Sequence, residues 1–301
     1  MNEPIKHHYI PQFILRNFCF DSKGHLHYYN KKAKETTIQE TRNVFMMQHL
    51  YRDEINSPKY PTKLESDLSV FENEVSKIIK SKFLNGDKIT LSVEEDTKLR
   101  LFFAIMGFRS ERVRSFFANG LTKESKKFYV NYQRNGDFVD LWKRNLGYIV
   151  NCRSIQEIIN HHEIDEPIKI FFIRDTFGIT GLYFVVAEPK DCEKFIIGDT
   201  YPVVITGYLP NGLPMYMYSI FPISPDRVVF MMSNGVERAP REVLKFRPSV
   251  AMMPKMNEGG TYTIRVKKLY AEEVKPINSV IYEEAKDGVI FKAPIKSLLN
   301  E

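Results

Sequence analysis

Apolar residues recur at intervals of three and four along two stretches in the first half of the chain. Residues 62–84 follow this period, which predicts one long helix. Ser92 and Glu95 then form the capping-box pattern that opens a second helix. The apolar face of that helix runs from Leu99 to Phe117. We expect the two helices to pack side by side as antiparallel neighbours.

The pattern changes from helical to extended near residue 168. Residues 122–162 favour helices at 122–132, 138–146 and 154–162. Beyond them, short segments rich in β-branched and aromatic residues alternate with turn signals, which predicts mostly antiparallel strands. The predicted strands are 168–173, 181–187, 194–197, 215–220 and 227–232, with a hairpin at Pro210-Asn211-Gly212. Further predictions are a strand at 25–30 and a helix at 274–286.

We therefore predict an α+β fold. A mainly helical part, residues 1–165, is expected to pack on a mainly β part, residues 166–301, whose sheet is mostly antiparallel. The sequence contains no internal repeat and no long linker between the two parts. We expect them to share one core, so that residues 1–301 form a single domain.

Composition narrows the class of protein and its compartment. The chain has 301 residues, of which 43% are apolar, and no run approaches the roughly 18 apolar residues of a membrane span. No apolar segment follows the first residues, as a signal peptide would require. Cys19, Cys152 and Cys192 are isolated, which argues against a zinc ribbon and a disulfide framework and favours the cytoplasm. The net charge of +6 is compatible with nucleic acid as a partner.

Residues 6–18 combine apolar side chains with many hydrogen-bonding groups. Pro11 favours the first turn of a short helix and an extended conformation for the residue before it. His7 and His8 therefore lie on an extended segment and point to opposite sides, so that at most one faces a given site. Either histidine is a candidate metal ligand or general acid–base group. The alternative is an N-terminal helix docked on the domain, with half-exposed histidines.

Four further polar residues of this segment are candidate binding residues. Gln12 and Arg16 are four residues apart and share one face of the short helix. Asn17 lies on the adjacent face, and Tyr9 lies on the extended segment.

Arg109 interrupts the apolar face of the second long helix. It lies three residues after Met106 and four before Val113, so a folded chain buries it. A buried guanidinium needs a partner, and Glu65 on the preceding helix is the first candidate. Two interpretations remain open, a structural ion pair and a catalytic or anion-binding arginine.

Asp199 follows the apolar segment Phe195-Ile196-Ile197-Gly198 and precedes a turn that contains Pro202. A carboxylate at the end of a buried strand is held rigidly, which suits a catalytic or ligand-binding residue. Aspartate is equally a good turn former through hydrogen bonds to the backbone.

These segments together carry a resemblance to a known family. The segments 7–18 and 195–203, Arg109, and Phe221-Pro-Ile-Ser-Pro225 occur in an order similar to that of domain of unknown function 4238. The resemblance spans residues 6–235 and implies a widespread, mostly bacterial, soluble protein. It implies no activity. This chain departs from the family pattern at residues 198–202, where one position is added.

Three functions are compatible with these residues. The first is a nuclease-like hydrolase of phosphodiesters in which His7, His8, Glu65, Arg109 and Asp199 are catalytic, with a divalent metal ion as the candidate cofactor. The second is a non-catalytic module that binds nucleic acid or protein and whose polar cluster is structural. The third is a small-ligand pocket in which Arg109 clamps a carboxylate or phosphate. Convergence of the five residues on one open pocket would favour the hydrolase.

Overall fold

The computed structural model describes residues 5–119, 140–172, 182–208, 214–233 and 256–292. The helices in this part of the chain are α1 (Gln12–Leu15), α2 (Lys63–Ile78), α3 (Val93–Arg109), α4 (Glu111–Asn119), α5 (Leu141–Ile149), α6 (Ile155–Asn160), α7 (Glu166–Phe172) and α8 (Ala271–Glu284). Short 3-10 turns cover Arg16–Phe18 and Thr41–Asn43, and a π-helical turn, Ile79–Phe83, continues α2.

The strands of the described residues form four sheets. Their bounds are β1 (Lys6–His8), β2 (His25–Asn30), β3 (Glu35–Glu40), β4 (Met46–Gln48), β5 (Lys88–Ser92), β6 (Leu182–Pro189), β7 (Ile197–Gly198), β8 (Val203–Tyr208), β9 (Pro214–Ser224), β10 (Arg227–Ser233), β11 (Thr261–Arg265), β12 (Lys267–Leu269) and β13 (Gly288–Phe291). The strand orders are β1-β4, β5-β11, β12-β6-β10-β9-β8 and β3-β2-β13-β7.

The five-stranded sheet is buried on both faces. Along β10, Val229 and Met231 belong to the core that contains α2 and α3, whereas Val228 and Phe230 belong to a second core. This alternation follows from the two-residue period of a strand. Helix α8 supplies Val274 and other apolar residues to the second core. The sheet therefore separates the long helices from α8.

The four-stranded sheet joins segments that are far apart in the sequence. Strand β13 pairs antiparallel with β2 on one side and with β7 on the other, and β2 pairs with β3. Residues near positions 28, 198 and 290 are thereby brought side by side. The turn between α8 and β13 lies next to the end of β7, where Asp199 follows.

The predicted arrangement of the fold is wrong. Helices and strands interleave along the chain, and a helical N-terminal part does not pack on a C-terminal sheet. Strands β1–β5 lie in the supposedly helical part, and α7 and α8 lie in the supposedly β part. Short strands that pair with distant segments leave little periodicity in their own sequence. A prediction that assigns one type of secondary structure to each half of the chain therefore misses this topology.

Individual elements fare better than the arrangement. The helix predicted at 62–84 is confirmed, as are the strand at 25–30 and the helix near 274–286. The capping box is confirmed, because the Glu95 amide donates to Ser92 Oγ at 3.1 Å and the Ser92 amide donates to Glu95 Oε2 at 2.8 Å. The strand predicted at 168–173 is wrong, since α7 occupies that segment. The helix predicted at 122–132 and the hairpin turn at 210–212 lie outside the described residues.

Within the described ranges, no helix combines the length and the apolar character needed to cross a lipid bilayer.

Gly288 lies where β13 passes closest to β2. A Cβ at this position would lie 2.4 Å from the Tyr29 carbonyl oxygen and 2.6 Å from the Tyr28 hydroxyl. We expect Gly288→Ala to reduce the free energy of unfolding by about 1–3 kcal/mol, because the strand or the Tyr28 ring must shift. Urea denaturation measures this loss.

Gly147→Ala is the matched control. Gly147 lies within α5 and has nothing within 4 Å of an added Cβ. Alanine there should raise the stability by about 0.5–1 kcal/mol, because glycine is a poor helix former. Equal effects of the two substitutions would show that the approach of β13 to β2 is not tight.

Candidate functional site

Arg109 lies at the end of α3 and is buried, with 3% of its surface exposed. Its Nε donates to the Tyr51 hydroxyl at 2.9 Å, and its Nη1 donates to Glu72 Oε1 at 2.5 Å. Its Nη2 donates to the carbonyl oxygen of His8 at 3.0 Å. The guanidinium also faces the Tyr51 ring, 5.0 Å from its centroid. One side chain thus connects α2, β1 and the segment after β4. We call this group the Arg109 cluster.

The predicted burial of Arg109 is confirmed, but its predicted partner is wrong. Glu72 forms the ion pair, whereas the first candidate was Glu65. The two glutamates are two helical turns apart on the same side of α2, so both lie near the guanidinium. Burial raises the pKa of the Glu65 carboxyl to about 7; Arg109 opposes this rise and Glu72 adds to it. The Glu65 carboxyl therefore keeps its proton up to near-neutral pH.

His7 points into the interior beside this cluster. It is 1% exposed, and its Nδ1 accepts a hydrogen bond from the Tyr51 amide at 2.8 Å. The two rings are stacked, with centroids 5.7 Å apart and planes 6° from parallel. Trp142 also stacks on Tyr51, with ring centroids 5.9 Å apart. His7 is therefore a packed core residue.

His8 points to the opposite side of β1, as predicted. Its Nε2 lies 3.0 Å from the Thr41 carbonyl oxygen, which can only accept, so Nε2 carries the proton. Nδ1 then accepts from the amide nitrogen of Gln12 at 3.2 Å, and Gln12 Oε1 accepts from Arg16 at 2.9 Å. Burial lowers the pKa of His8, which keeps the ring neutral in this chain of hydrogen bonds.

Asn17 attaches the first helix to the five-stranded sheet. Its side-chain amide donates to the Ile223 carbonyl oxygen in β9 at 2.8 Å. Gln12, Arg16 and Asn17, three of the predicted binding residues, thus make contacts within the chain. These contacts account for their polar character without a ligand.

Asp199 caps the turn that leads from α8 into β13. Its Oδ1 accepts from the Lys286 amide at 2.7 Å, and its Oδ2 accepts from the amides of Asp287 at 2.6 Å and Gly288 at 3.2 Å. The turn former was one of the two interpretations of this residue, but the turn it forms lies almost ninety residues away in the sequence.

An open cleft of about 250 Å³ lies between the residue after β1, the β2–β3 hairpin, the segment that leads into β4, and this turn. Tyr9, from the opening segment, and Asp199, from the second motif, both line it. The remaining lining residues are Tyr28, Gln39, Asn43, Val44, Phe45 and Asp287. Aromatic rings, amides and carboxylates therefore face one small space.

Phe45, one of the residues that line this cleft, adopts a strained backbone conformation. Its φ is +51°, in the left-handed region that bulky residues rarely occupy. Its carbonyl oxygen accepts from the Tyr9 amide at 3.2 Å, which continues the pairing of β1 with β4. The Phe45 ring lies 6.2 Å from that of Tyr9 and 6.3 Å from that of Tyr28. Strain of this kind is concentrated at functional sites.

The two cleft tyrosines lie in a negative electrostatic environment. Burial raises the pKa of Tyr9, and the nearby charge of Asp199 raises it further. Burial likewise raises the pKa of Tyr28, with added contributions from Asp199 and Asp287. Both hydroxyls therefore remain protonated, close to two carboxylates.

The five predicted catalytic residues fall in three places. His7, Arg109 and Glu65 belong to the interior near Tyr51; His8 belongs to the hydrogen-bonded chain with Gln12; Asp199 lines the cleft. Within the described ranges, no three His, Cys, Asp or Glu residues are grouped so as to hold a metal ion. Their catalytic roles remain predictions.

Comparison with known proteins gives a family. The model of the family described as "Protein of unknown function (DUF4238)" matches residues 6–294. This chain belongs to that family. The resemblance seen in residues 6–235 is confirmed and extends further towards the C-terminus. No curated protein and no solved structure matches this DUF4238 chain.

Sequence reasoning missed most of the cleft of this DUF4238 chain. Tyr28 lies within the strand predicted at 25–30, but nothing in the sequence marked it as a site residue. The conformation of Phe45 leaves no trace in the sequence. Asp287 reaches the cleft only because β13 pairs with β2. Of the residues that line the cleft, the sequence had marked only Tyr9, in the opening segment, and Asp199.

The Arg109 cluster predicts a large stability cost for Arg109→Met. The substitution leaves Glu72 without its cation and the His8 carbonyl without its donor. We expect the free energy of unfolding to fall by about 3–5 kcal/mol, as measured by urea denaturation. Arg112→Met is the control, because Arg112 is exposed one turn further along the chain. Similar losses for both variants would contradict a structural role of the cluster.

Glu65 predicts a pH dependence of stability. Its pKa is about 7 in the folded chain and 4.5 ordinarily, so the folded state holds a proton that the unfolded state has released between these values. Stability therefore falls as the pH rises from about 4.5 to 7, by on the order of 2 kcal/mol. Glu65→Gln should remove this decline in denaturation curves collected across that range. Glu94→Gln, at an exposed glutamate, should retain it.

Proposed function

We propose that this DUF4238 chain is a non-catalytic binding module whose ligand enters the cleft beside Tyr9, and that the Arg109 cluster is structural. One observation carries the proposal. Within the part of the chain that the structure describes, the histidines, Gln12, Arg16 and Asn17 of the opening segment pair with one another or with the backbone, whereas Tyr9 lines the cleft. Polar networks that are satisfied internally specify a fold.

The hydrolase interpretation finds less support in this geometry. A hydrolase of phosphodiesters needs its base, its cation and its carboxylate around one phosphorus atom. The His7 ring is buried against Tyr51, and the N–H groups of Arg109 donate to Glu72, Tyr51 and a backbone carbonyl. Asp199 accepts three backbone amides. These groups face their own partners rather than a shared space.

The Arg109 cluster supports the cleft mechanically. Arg109 holds the His8 carbonyl, and the next residue, Tyr9, donates its amide to Phe45 and extends its ring into the cleft. A binding site held by a rigid interior loses little conformational entropy when a ligand binds. The buried charge thus contributes to binding by fixing the position of the strand.

The charge of the cleft bears on the class of partner. Asp199 and Asp287 place two carboxylates at its wall, and carboxylates repel the phosphates of a nucleic acid. A protein or a small ligand suits the cleft better than nucleic acid. Nucleic acid as a partner, which rests on the net charge of +6, remains a prediction that concerns other surfaces.

A ligand screen tests the proposal, with binding detected from the NMR signals of the residues that line the cleft. We expect cationic, neutral or anionic fragments of at least one class to shift the NMR signals of Tyr9, Tyr28 and Phe45 in the full-length protein. Tyr28→Ala should weaken that binding about tenfold, because a well-packed ring contributes strongly to a small pocket. Fluorescence or NMR titration measures the change in Kd.

Tyr60→Ala is the control, since Tyr60 is 70% exposed and does not line the cleft. It should leave the Kd unchanged. The proposal is contradicted if no fragment of any class shifts the cleft signals. It is also contradicted if the protein hydrolyses a simple phosphodiester and His8→Ala and Asp199→Asn each abolish that reaction.

A further inference from the structure

We infer that the cleft binds a guanidinium group, the head of an arginine side chain or of a free guanidino compound. The inference rests on the proposed binding function and names its ligand. Four features of the cleft support it: its acceptors already bind cations of the chain itself, its walls are aromatic, its carboxylates retain acceptor capacity, and its volume suits one small group.

Two lining oxygens already accept hydrogen bonds from ammonium groups. Lys32 Nζ lies 2.6 Å from Asp287 Oδ1, and Lys6 Nζ lies 2.8 Å from Asn43 Oδ1. Both lysines are exposed. The Lys32–Asp287 pair has 79% and 60% of its two side chains exposed, and solvated pairs of this kind are weak. A ligand cation can therefore replace these lysines at low cost.

The aromatic walls suit a flat cation. The planes of Phe45 and Tyr9 are 40° apart, and those of Phe45 and Tyr28 are 69° apart. Rings at such angles present both faces and edges to the space between them. A cation over the face of a tyrosine or phenylalanine ring is attracted by its quadrupole, and a guanidinium can also stack on the ring.

The carboxylates retain capacity for further donors. A carboxylate offers about four lone-pair sites. Asp199 uses three of them for backbone amides, and Asp287 accepts one ammonium group. Glu111 adds to the negative field at Tyr9. The two carboxylates disfavour phosphates and carboxylates as ligands and favour a donor-rich cation.

Geometry favours a guanidinium over an ammonium group. The acceptors are spread over three separate segments of the chain, namely Gln39 in β3, Asp199 after β7, and Asp287 in the turn before β13. A guanidinium presents five N–H donors in one plane, whereas an ammonium group is a compact point charge. The volume of about 250 Å³ is smaller than the roughly 300–1,000 Å³ of pockets for drug-sized ligands, so one head group with part of its stem fills it.

The experiment titrates the full-length protein with three probes that share one backbone. These are Nα-acetyl-arginine methylamide, the lysine analogue, and the citrulline analogue, which is a neutral isostere of arginine. We expect the arginine probe to bind at least about tenfold tighter than the citrulline probe, because charge-assisted hydrogen bonds are lost with the charge. The lysine probe should bind more weakly than the arginine probe.

Three variants assign the binding to the cleft. Asp287→Asn should weaken the arginine probe about tenfold, and Lys32→Ala should tighten it about threefold by removing the competing ammonium group. Lys80→Ala removes the same charge from an exposed lysine that does not line the cleft and should change nothing. Agmatine and an arginine-containing glycine–serine peptide then distinguish a free guanidino compound from a side chain of a protein partner, according to which binds tighter.

Equal affinities for the arginine and citrulline probes overturn the inference, as does a lysine probe that binds as tightly as the arginine probe. In either case, shifts of the cleft signals by another ligand leave the proposed binding function intact. Absence of cleft shifts with every fragment class contradicts that function as well, so the two failures are distinguishable.

Discussion

The constraint on which this structure depends is the burial of one positive charge. Arg109 is withdrawn from water at the end of α3, and such a group is tolerated only when its donors are all directed at acceptors. The acceptors come from three parts of the chain: Glu72 on α2, Tyr51 after β4, and the carbonyl of His8 on β1. The first strand, which is only three residues long, is thereby held against the helical core. Hydrogen bonds to β4 alone would leave so short a strand weakly fixed.

From this anchored strand, three consecutive residues point in three directions. His7 packs against Tyr51 in the interior, His8 binds Thr41 and the first helix, and Tyr9 reaches the cleft. The alternation of a strand explains the first two directions. The third follows from the pairing of Tyr9 with Phe45, the strained residue that also lines the cleft. The same short segment is therefore fixed in the interior by its histidines and faces the cleft with Tyr9. A binding site on such a rigid segment is preorganised.

The sequence allowed the burial of Arg109 to be predicted, because this residue interrupts the apolar face of the predicted second helix. In the structure that helix ends at Arg109, and α4 begins at Glu111. The sequence did not show which of Glu65 and Glu72 pairs with Arg109, because both lie on one side of α2. The choice depends on the point at which α3 crosses α2, and the structure shows that Glu72 forms the pair. Asp199 was interpreted either as a rigidly held site residue or as a turn former, and neither interpretation predicted that its partners are the amides of residues 286–288. Such pairings over long sequence separations leave no local periodicity. For the same reason the order of the strands, and with it the fold arrangement, could not be predicted from composition by halves.

The most direct test of the account is amide hydrogen exchange in the Glu72→Gln protein. If the guanidinium holds β1 in place, weakening its ion pair should speed exchange at the amide of Tyr9, which donates to Phe45, and at the amides of β1 and β4. Amides of the central strand β10 should keep their protection, because both of its faces are buried independently of the cluster. Unchanged exchange in β1, or a uniform increase throughout the chain, would contradict the account.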